Sequence, residues 1–163
     1  MSPSTTVYQR IALGDVTINN LGQLRTLNKV LFPIEYQDSF YKEVLQVGEF
    51  AKLVYYNDVC VGSVCCRIEE DDDKKKNVYI MTLGVLKPYR RLGLGNQLID
   101  HILKEANDKE NNISKIYLHV QINNDVATTF YKKHGFEVIR TDKDYYKNVE
   151  PKDAFVLEKK IQL

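Results

Sequence analysis

Residues 88–103 read PYRRLGLGNQLIDHIL, with two arginines and two glycines directly ahead of an amphipathic run. The start of a helix presents N–H groups that lack a helical carbonyl, together with the positive end of the helix dipole, and so binds phosphate readily. Gly93 and Gly95 remove the Cβ atoms that would keep a phosphate chain off the backbone. Arg90 and Arg91 add cationic charge beside them. Two other phosphate loops fit poorly. A dinucleotide loop needs a third glycine and an acid about twenty residues further on, where Lys115 stands. A P-loop needs Gly-Lys-Ser or Gly-Lys-Thr, which the stretch lacks. The plain alternative is a glycine turn carrying two solvated arginines.

Such a loop works only when flanking elements hold it, and the rest of the chain supplies them. Its 163 residues suit one domain with a sizeable core, and a net charge of +1 offers nucleic acid no general attraction, so an anion site must be local. The composition, 44% apolar and 28% charged, is that of a soluble globular protein. Three cysteines, Cys60 and the adjacent Cys65-Cys66, make neither a disulfide framework nor a metal spacing, and buried reduced thiols are expected. No apolar stretch is long enough to span a membrane, and Met1 to Arg10 lacks a signal-peptide core, so an intracellular protein is expected.

Along the chain, Thr6 to Leu13 predicts a first strand. Asn19 or Asn20 caps a helix with Leu21, Leu24, Leu27 and Leu31 at helical spacing, and Pro33 stops it. Asp38 or Ser39 caps a second helix, through about Val47. Two strand-like runs meet at Asn57-Asp58, a hairpin turn. The run DDDKKK (71–76) is a solvated loop tip, and NVYIMTLGVL is the next strand. Leu94, Leu98, Ile99, Ile102, Leu103 and Ala106 mark one helix face. KIYLHVQI is a strand, Asn124 caps a helix ending near Lys133, and Gly135 takes the usual C-terminal glycine place. FEVIRT and DAFVLEKKI close the chain as strands. The order is mixed α/β, with a strand–helix–strand unit at its centre.

Arg90-Arg91-x-Gly-x-Gly after one strand, followed by NNDVATTFYKKHGFEVI after the next, resembles the GNAT superfamily of N-acetyltransferases. The resemblance implies a single GNAT domain over residues 1–163, with the acyl-CoA N-acyltransferase fold. In that α/β fold a mixed central sheet of about seven strands is flanked by about four helices. It implies acetyl-CoA as cosubstrate and no metal. The residues implied to hold acetyl-CoA are Leu83, Gly84, Val85, Arg90, Arg91, Leu92, Gly93, Leu94, Gly95 and Asn96 on the pyrophosphate side, with Asn124, Thr128 and Tyr131 along the pantetheine arm. More narrowly, LFPIEYQDSFYKEVL, YIMTLGVLKPYRRLGLG, IYLHVQINN and DYYKNVEPKDAFVL resemble the San-type Nα-acetyltransferases, the catalytic subunits of NatE, over roughly Ile11 to Leu157. The acidic-then-basic loop at 71–76 and a short N-terminal extension depart from that pattern.

That narrower resemblance implies acetylation of the α-amine of nascent Met-initiated polypeptides with an apolar second residue, with lysine and self-acetylation as side activities. It implies partnership with NatA complex subunits and through them the ribosome, a place in the cytoplasm and also the nucleus, and a link to sister chromatid cohesion. Neither nucleic acid nor membrane is an expected partner. An α-amine is roughly 10–15% neutral at pH 7, whereas a lysine is under ~0.1% neutral, so an enzyme acting on α-amines can manage with a modest base. The resemblance puts Tyr79 and His119 in that role, acting through ordered water. Strand order allows it, because strands joined by a right-handed crossover run parallel and can be neighbours. Taken alone, each could be an ordinary sheet residue.

The resemblance also implies that Phe32, Pro33, Ile34 and Tyr36 grip the first residues of a peptide opposite Tyr145 and Tyr146, with Met81, Lys147, Asn148 and Val149 lining the same groove. Adjacent residues of an extended segment point to opposite faces, so one of the two tyrosines should be open. Two alternatives stay in view: a lysine or small-amine acetyltransferase, and a catalytically quiet subunit that binds acetyl-CoA and docks to NatA.

Overall fold

Asn57 and Asp58 take left-handed φ values of +48° and +69°, the paired positive angles of a tight hairpin turn. They join β2 (Ala51–Tyr56) to β3 (Val59–Glu70). The computed structural model describes residues 10–161. β1 (Ile11–Asp15) pairs antiparallel with β2, and the earlier part of the expected first strand, residues 6–9, lies outside the described residues.

α1 (Leu21–Leu31) buries Leu24 and Leu27. It ends because Phe32 precedes Pro33 and turns extended, with φ −127° and ψ 140°. Asn20 holds the cap position, yet its side chain serves the preceding loop: Oδ1 accepts from the Thr17 amide at 2.7 Å and Nδ2 donates to the Asp15 carbonyl at 2.8 Å. α2 (Asp38–Val44) stops short of the expected Val47, since Gly48 at φ +56° opens a short 3-10 turn that feeds β2.

β4 (Lys76–Val85), α3 (Leu94–Asn107) and β5 (Ile113–Gln121) form the central strand–helix–strand unit, with β4 and β5 parallel. Leu98, Ile99 and Ile102 of α3 are fully buried, each contributing about 1.5–3 kcal/mol of apolar transfer. Leu103, expected on that face, is half-exposed.

α4 (Asp125–Lys133) starts as the sequence predicts, with the Asn124 side chain accepting from the Ala127 amide at 3.1 Å. Its other end is a Schellman turn. Gly135 at φ +91° donates to the Lys132 carbonyl, Phe136 donates to that of Tyr131, and the Phe136 and Tyr131 rings pack at 5.4 Å. β6 (Glu137–Asp142) and β7 (Ala154–Lys160) close the chain. The seven strands share one mixed sheet, ordered β1-β2-β3-β4-β5-β7-β6, flanked by the helices.

Two compact units divide the chain. One takes the chain up to Cys65 together with Thr82–Leu98; the other takes Cys66–Met81 and the chain from Ile99 onward. Cys65 and Cys66 are buried and in the thiol form, and burial pushes the Cys65 thiol up to about 12; Cys60 is half-exposed. No helix among the described residues is long and apolar enough to cross a membrane.

Candidate active site

Alternation along β5 sends Ile116, Leu118 and Val120 into the core and leaves Tyr117, His119 and Gln121 half-buried on the opposite face. β4 does the same, with Val78 and Ile80 inward and Tyr79 and Met81 outward. The parallel ladder ends at the pair Tyr79–Tyr117, so His119 stands one pleat further along the same face. That register brings the Tyr79 hydroxyl to 2.8 Å from His119 Nδ1. Sequence reasoning singled out both residues; the structure joins them directly.

His119 Nε2 lies 2.9 Å from Asp142 Oδ2, and Arg140 Nε donates to Asp142 Oδ1 at 2.9 Å. Bonds from Arg140 and then His119 hold the Asp142 carboxyl below the usual carboxylate range. An ionised carboxylate only accepts, so the proton sits on Nε2. In the neutral ring, Nδ1 then accepts from the Tyr79 hydroxyl. Burial pushes the Tyr79 phenol well above its ordinary value. Tyr79 therefore stays protonated and hands its proton toward His119 instead of holding charge itself.

Tyr145 completes the group. Its ring stacks on the His119 imidazole with centroids 3.9 Å apart and planes 7° apart, and its hydroxyl lies 3.1 Å from that of Tyr79. With the Tyr79 proton directed at His119, Tyr145 is the donor in that pair. The loop carrying it is anchored: the Tyr146 amide donates to the Lys152 carbonyl at 2.8 Å, and Gln121 Nε2 donates to the Pro151 carbonyl at 2.9 Å. Tyr146 packs edge-on against Tyr145 at 4.9 Å; Val149 of the same loop is half-buried, while Lys147 and Asn148 are exposed. The Arg67 guanidinium lies 5.0 Å from the Tyr79 ring centroid and pairs with Glu69, to which the Tyr117 hydroxyl donates. Sequence reasoning missed Asp142, Arg140, Tyr117 and Arg67. Tyr117 had a signal, lying two residues before His119 on one strand face.

The other unit holds the glycine loop and the first aromatic loop. Arg90 Nε donates to the Val85 carbonyl at 3.0 Å and so ties the loop to the end of β4, where Leu83, Gly84 and Val85 lie. Arg91 and Gly93 take φ values of +67° and +80°, and a Cβ built on Gly93 would meet nothing within 4 Å. The Gln97 amide bonds the Gly93 carbonyl at 3.1 Å, and Leu94, Gly95 and Asn96 make up the first turn of α3. A helix N-terminus led by a glycine suits a pyrophosphate.

In the first aromatic loop, Phe32 meets Tyr36 edge-on, Tyr36 stacks on Phe40 at 4.5 Å, and Phe40 meets Tyr41. Buried Asn28 donates to the Tyr41 hydroxyl at 3.1 Å. The Phe32 ring lies on Gly84, whose added Cβ would come within 3.0 Å of it. Pro33 and Ile34 are exposed. In the second unit the remaining residues singled out from the sequence sit on α4: Asn124 caps it, the Thr128 hydroxyl bonds the Asn124 carbonyl at 3.0 Å, and Tyr131 is buried against Phe130 and Phe136.

A mixed seven-stranded sheet with a glycine-led helix start after β4, and a hydroxyl–imidazole pair on β4 and β5, is the arrangement expected of an acetyl-CoA-type acyltransferase. The family model for the acetyltransferase (GNAT) family matches residues 20–136. The chain is 54% identical over 153 residues to N-alpha-acetyltransferase 50 of Danio rerio, covering 94% of this chain and 90% of that protein. It is 54% identical over 152 residues to the probable N-acetyltransferase san of Drosophila melanogaster, covering 93% and 82%. Among solved structures it is similar to Arabidopsis thaliana Naa50 in complex with the bisubstrate analogue CoA-Ac-MVNAL, with a TM-score of 0.87, 48% identity, and 93% and 99% of the two chains covered. The chain belongs to the GNAT family of acetyltransferases, in the group of N-alpha-acetyltransferase 50 and San.

Proposed function

We propose that this chain transfers the acetyl group of acetyl-CoA to the α-amine of polypeptides that begin with methionine. The observation that carries the proposal is the 2.8 Å hydrogen bond between Tyr79 and His119, in a chain 48% identical to a Naa50 solved with CoA-Ac-MVNAL. That analogue joins CoA to a peptide beginning Met-Val, in line with an apolar second residue.

Acetyl-CoA supplies an activated acyl group. The start of α3 binds its pyrophosphate through Arg91, Leu92, Gly93, Leu94, Gly95 and Asn96, with Arg90 fixing the loop and Leu83, Gly84 and Val85 alongside. Asn124, Thr128 and Tyr131 flank the pantetheine arm. In the first unit, Phe32, Pro33, Ile34 and Tyr36 receive the methionine side chain, whose flexible thioether suits aromatic surroundings. In the second, Met81, Tyr145, Tyr146, Lys147, Asn148 and Val149 hold the peptide. As the amine nitrogen bonds the acyl carbon, it sheds a proton to a lone pair of the Tyr79 hydroxyl, directly or through a water. Tyr79 passes its own proton to His119 Nδ1, and the sulfur leaves with the bonding pair.

NatA subunits, and through them the ribosome, are proposed partners on the likeness to the Naa50 and San proteins, and the cytoplasm and nucleus are the proposed places of work. The deciding experiment compares a Met-Leu peptide with the same peptide blocked at its α-amine and carrying a lysine. Acetylation of the first and not the second is expected. Preference for the second would make the chain a lysine acetyltransferase, and acetylation of neither, with acetyl-CoA still bound, would make it a quiet docking subunit.

A further inference from the structure

We propose that Asp142 is a positioning residue for the acetyl transfer, holding the His119 ring so that its Nδ1 lone pair meets the Tyr79 hydroxyl. This rests on the proposed role of Tyr79 and His119. Three observations carry it. Asp142 Oδ2 receives His119 Nε2 at 2.9 Å, the nitrogen opposite the one that meets Tyr79 at 2.8 Å. Arg140 holds the other carboxylate oxygen at 2.9 Å, so the carboxylate is itself fixed.

The third observation is in the backbone. The β6–β7 register slips between Val138 and Arg140, leaving Ile139 as an extra residue. Val138 pairs with Leu157, but after the bulge Arg140 pairs with Val156, which is also the partner of His119 on β7's other edge. Regular alternation would have kept Arg140 and Asp142 on the Val138 face. The bulge turns both onto the face that carries His119, the kind of re-aiming for which bulges recur beside active sites.

Without Asp142 the imidazole keeps the stacking contact of Tyr145 but loses the bond that fixes its rotation and the site of its proton. A ring turned about its Cβ–Cγ bond, or protonated on Nδ1, cannot accept the Tyr79 proton. When His119 does accept it, the imidazolium is doubly hydrogen-bonded, by Asp142 at Nε2 and by the Tyr79 oxygen at Nδ1. The extra proton then leaves to solvent or to the departing thiolate, restoring the neutral ring.

Asp142→Asn and Asp142→Ala, made alone and in the His119→Ala background, test this with acetyl-CoA and a Met-Leu peptide. Each single variant should lower kcat by about tenfold or more, as loss of the acid that orients a catalytic histidine does, with peptide KM and acetyl-CoA affinity within about twofold of wild type. In the His119→Ala background neither should lower kcat further, because a residue acting through His119 has nothing left to position. Wild-type kcat in both single variants, or a loss that persists in full without His119, would overturn the inference while leaving the catalytic pair intact. Normal turnover in His119→Ala itself would instead remove the proposed role of His119, and the role of Asp142 with it.

Discussion

The ring of Tyr145 lies flat on the imidazole of His119 at 3.9 Å while its hydroxyl reaches the hydroxyl of Tyr79 at 3.1 Å. One side chain thus touches both members of the proton-accepting pair, and it comes from the loop between β6 and β7 that is also assigned to the peptide. On the proposed function, substrate binding and proton transfer share this residue.

Substitutions of Tyr145 separate these contributions. Tyr145→Phe keeps the stack and removes the donor to Tyr79, so a modest fall in kcat is expected, in line with the roughly 1 kcal/mol of one hydrogen bond. Tyr145→Ala removes both and should also raise the KM for a Met-Leu peptide. Steady-state kinetics on the two variants checks this. Equal values for Phe and Ala would mean that the stack contributes nothing.

Phe32 and Gly84 form a second testable pair. Phe32→Ala should weaken peptide binding by about 1–3 kcal/mol, the loss of one buried apolar side chain, with acetyl-CoA affinity unchanged. Gly84→Ala should also raise peptide KM, because its methyl would press on the Phe32 ring, 3.0 Å from the added atom. Melting temperature, peptide KM and cofactor affinity on one preparation of each are needed. Parallel loss of stability and cofactor binding in Phe32→Ala would place Phe32 in the core instead.

The glycine loop yields a prediction with two arms. Gly93 at φ +80° has open space where a Cβ would sit, so Gly93→Ala should cost stability by conformation alone, about 1–2 kcal/mol, seen as a lower Tm. Gly95→Val should weaken acetyl-CoA binding in calorimetric titration while circular dichroism stays unchanged. Unaltered affinity would return the loop to a simple turn.

Charge at Asp142 is open to direct titration. Its folded carboxyl lies below the usual range, chiefly through Arg140 and then His119. A lowered folded pKa contributes stability that is present above the unfolded value and lost as pH falls through the folded one. Arg140→Ala should move the Asp142 carboxyl titration upward toward an ordinary aspartate, followed by NMR of the side-chain carbonyl carbon. No movement would mean that Arg140 does not set this carboxylate.

Much of the fold was legible because its signals are local. Asn124 and Gly135 bracket α4 through short-range bonds, Asn57-Asp58 makes its own turn, and α3 shows its face every three or four residues. The Tyr79–His119 pair was legible only through the family resemblance and parallel strand order, since no spacing along the chain encodes a contact across forty positions. Asp142 was hidden for a different reason: the bulge at Ile139 reverses the alternation from which its face would have been read. Asn20 misled in a smaller way, because an asparagine at a cap position can bond the loop before the helix as well as the helix itself.

The most direct measurement is the turnover of Tyr79→Phe with acetyl-CoA and a Met-Leu peptide. The substitution keeps the ring and removes only the hydroxyl proposed to link the amine to His119. A kcat lower by about 10²-fold is expected, the usual scale of lost general acid–base catalysis, with peptide KM and acetyl-CoA affinity little changed. A kcat near wild type would contradict the proton path and show that the α-amine reacts without help from Tyr79 or the histidine behind it.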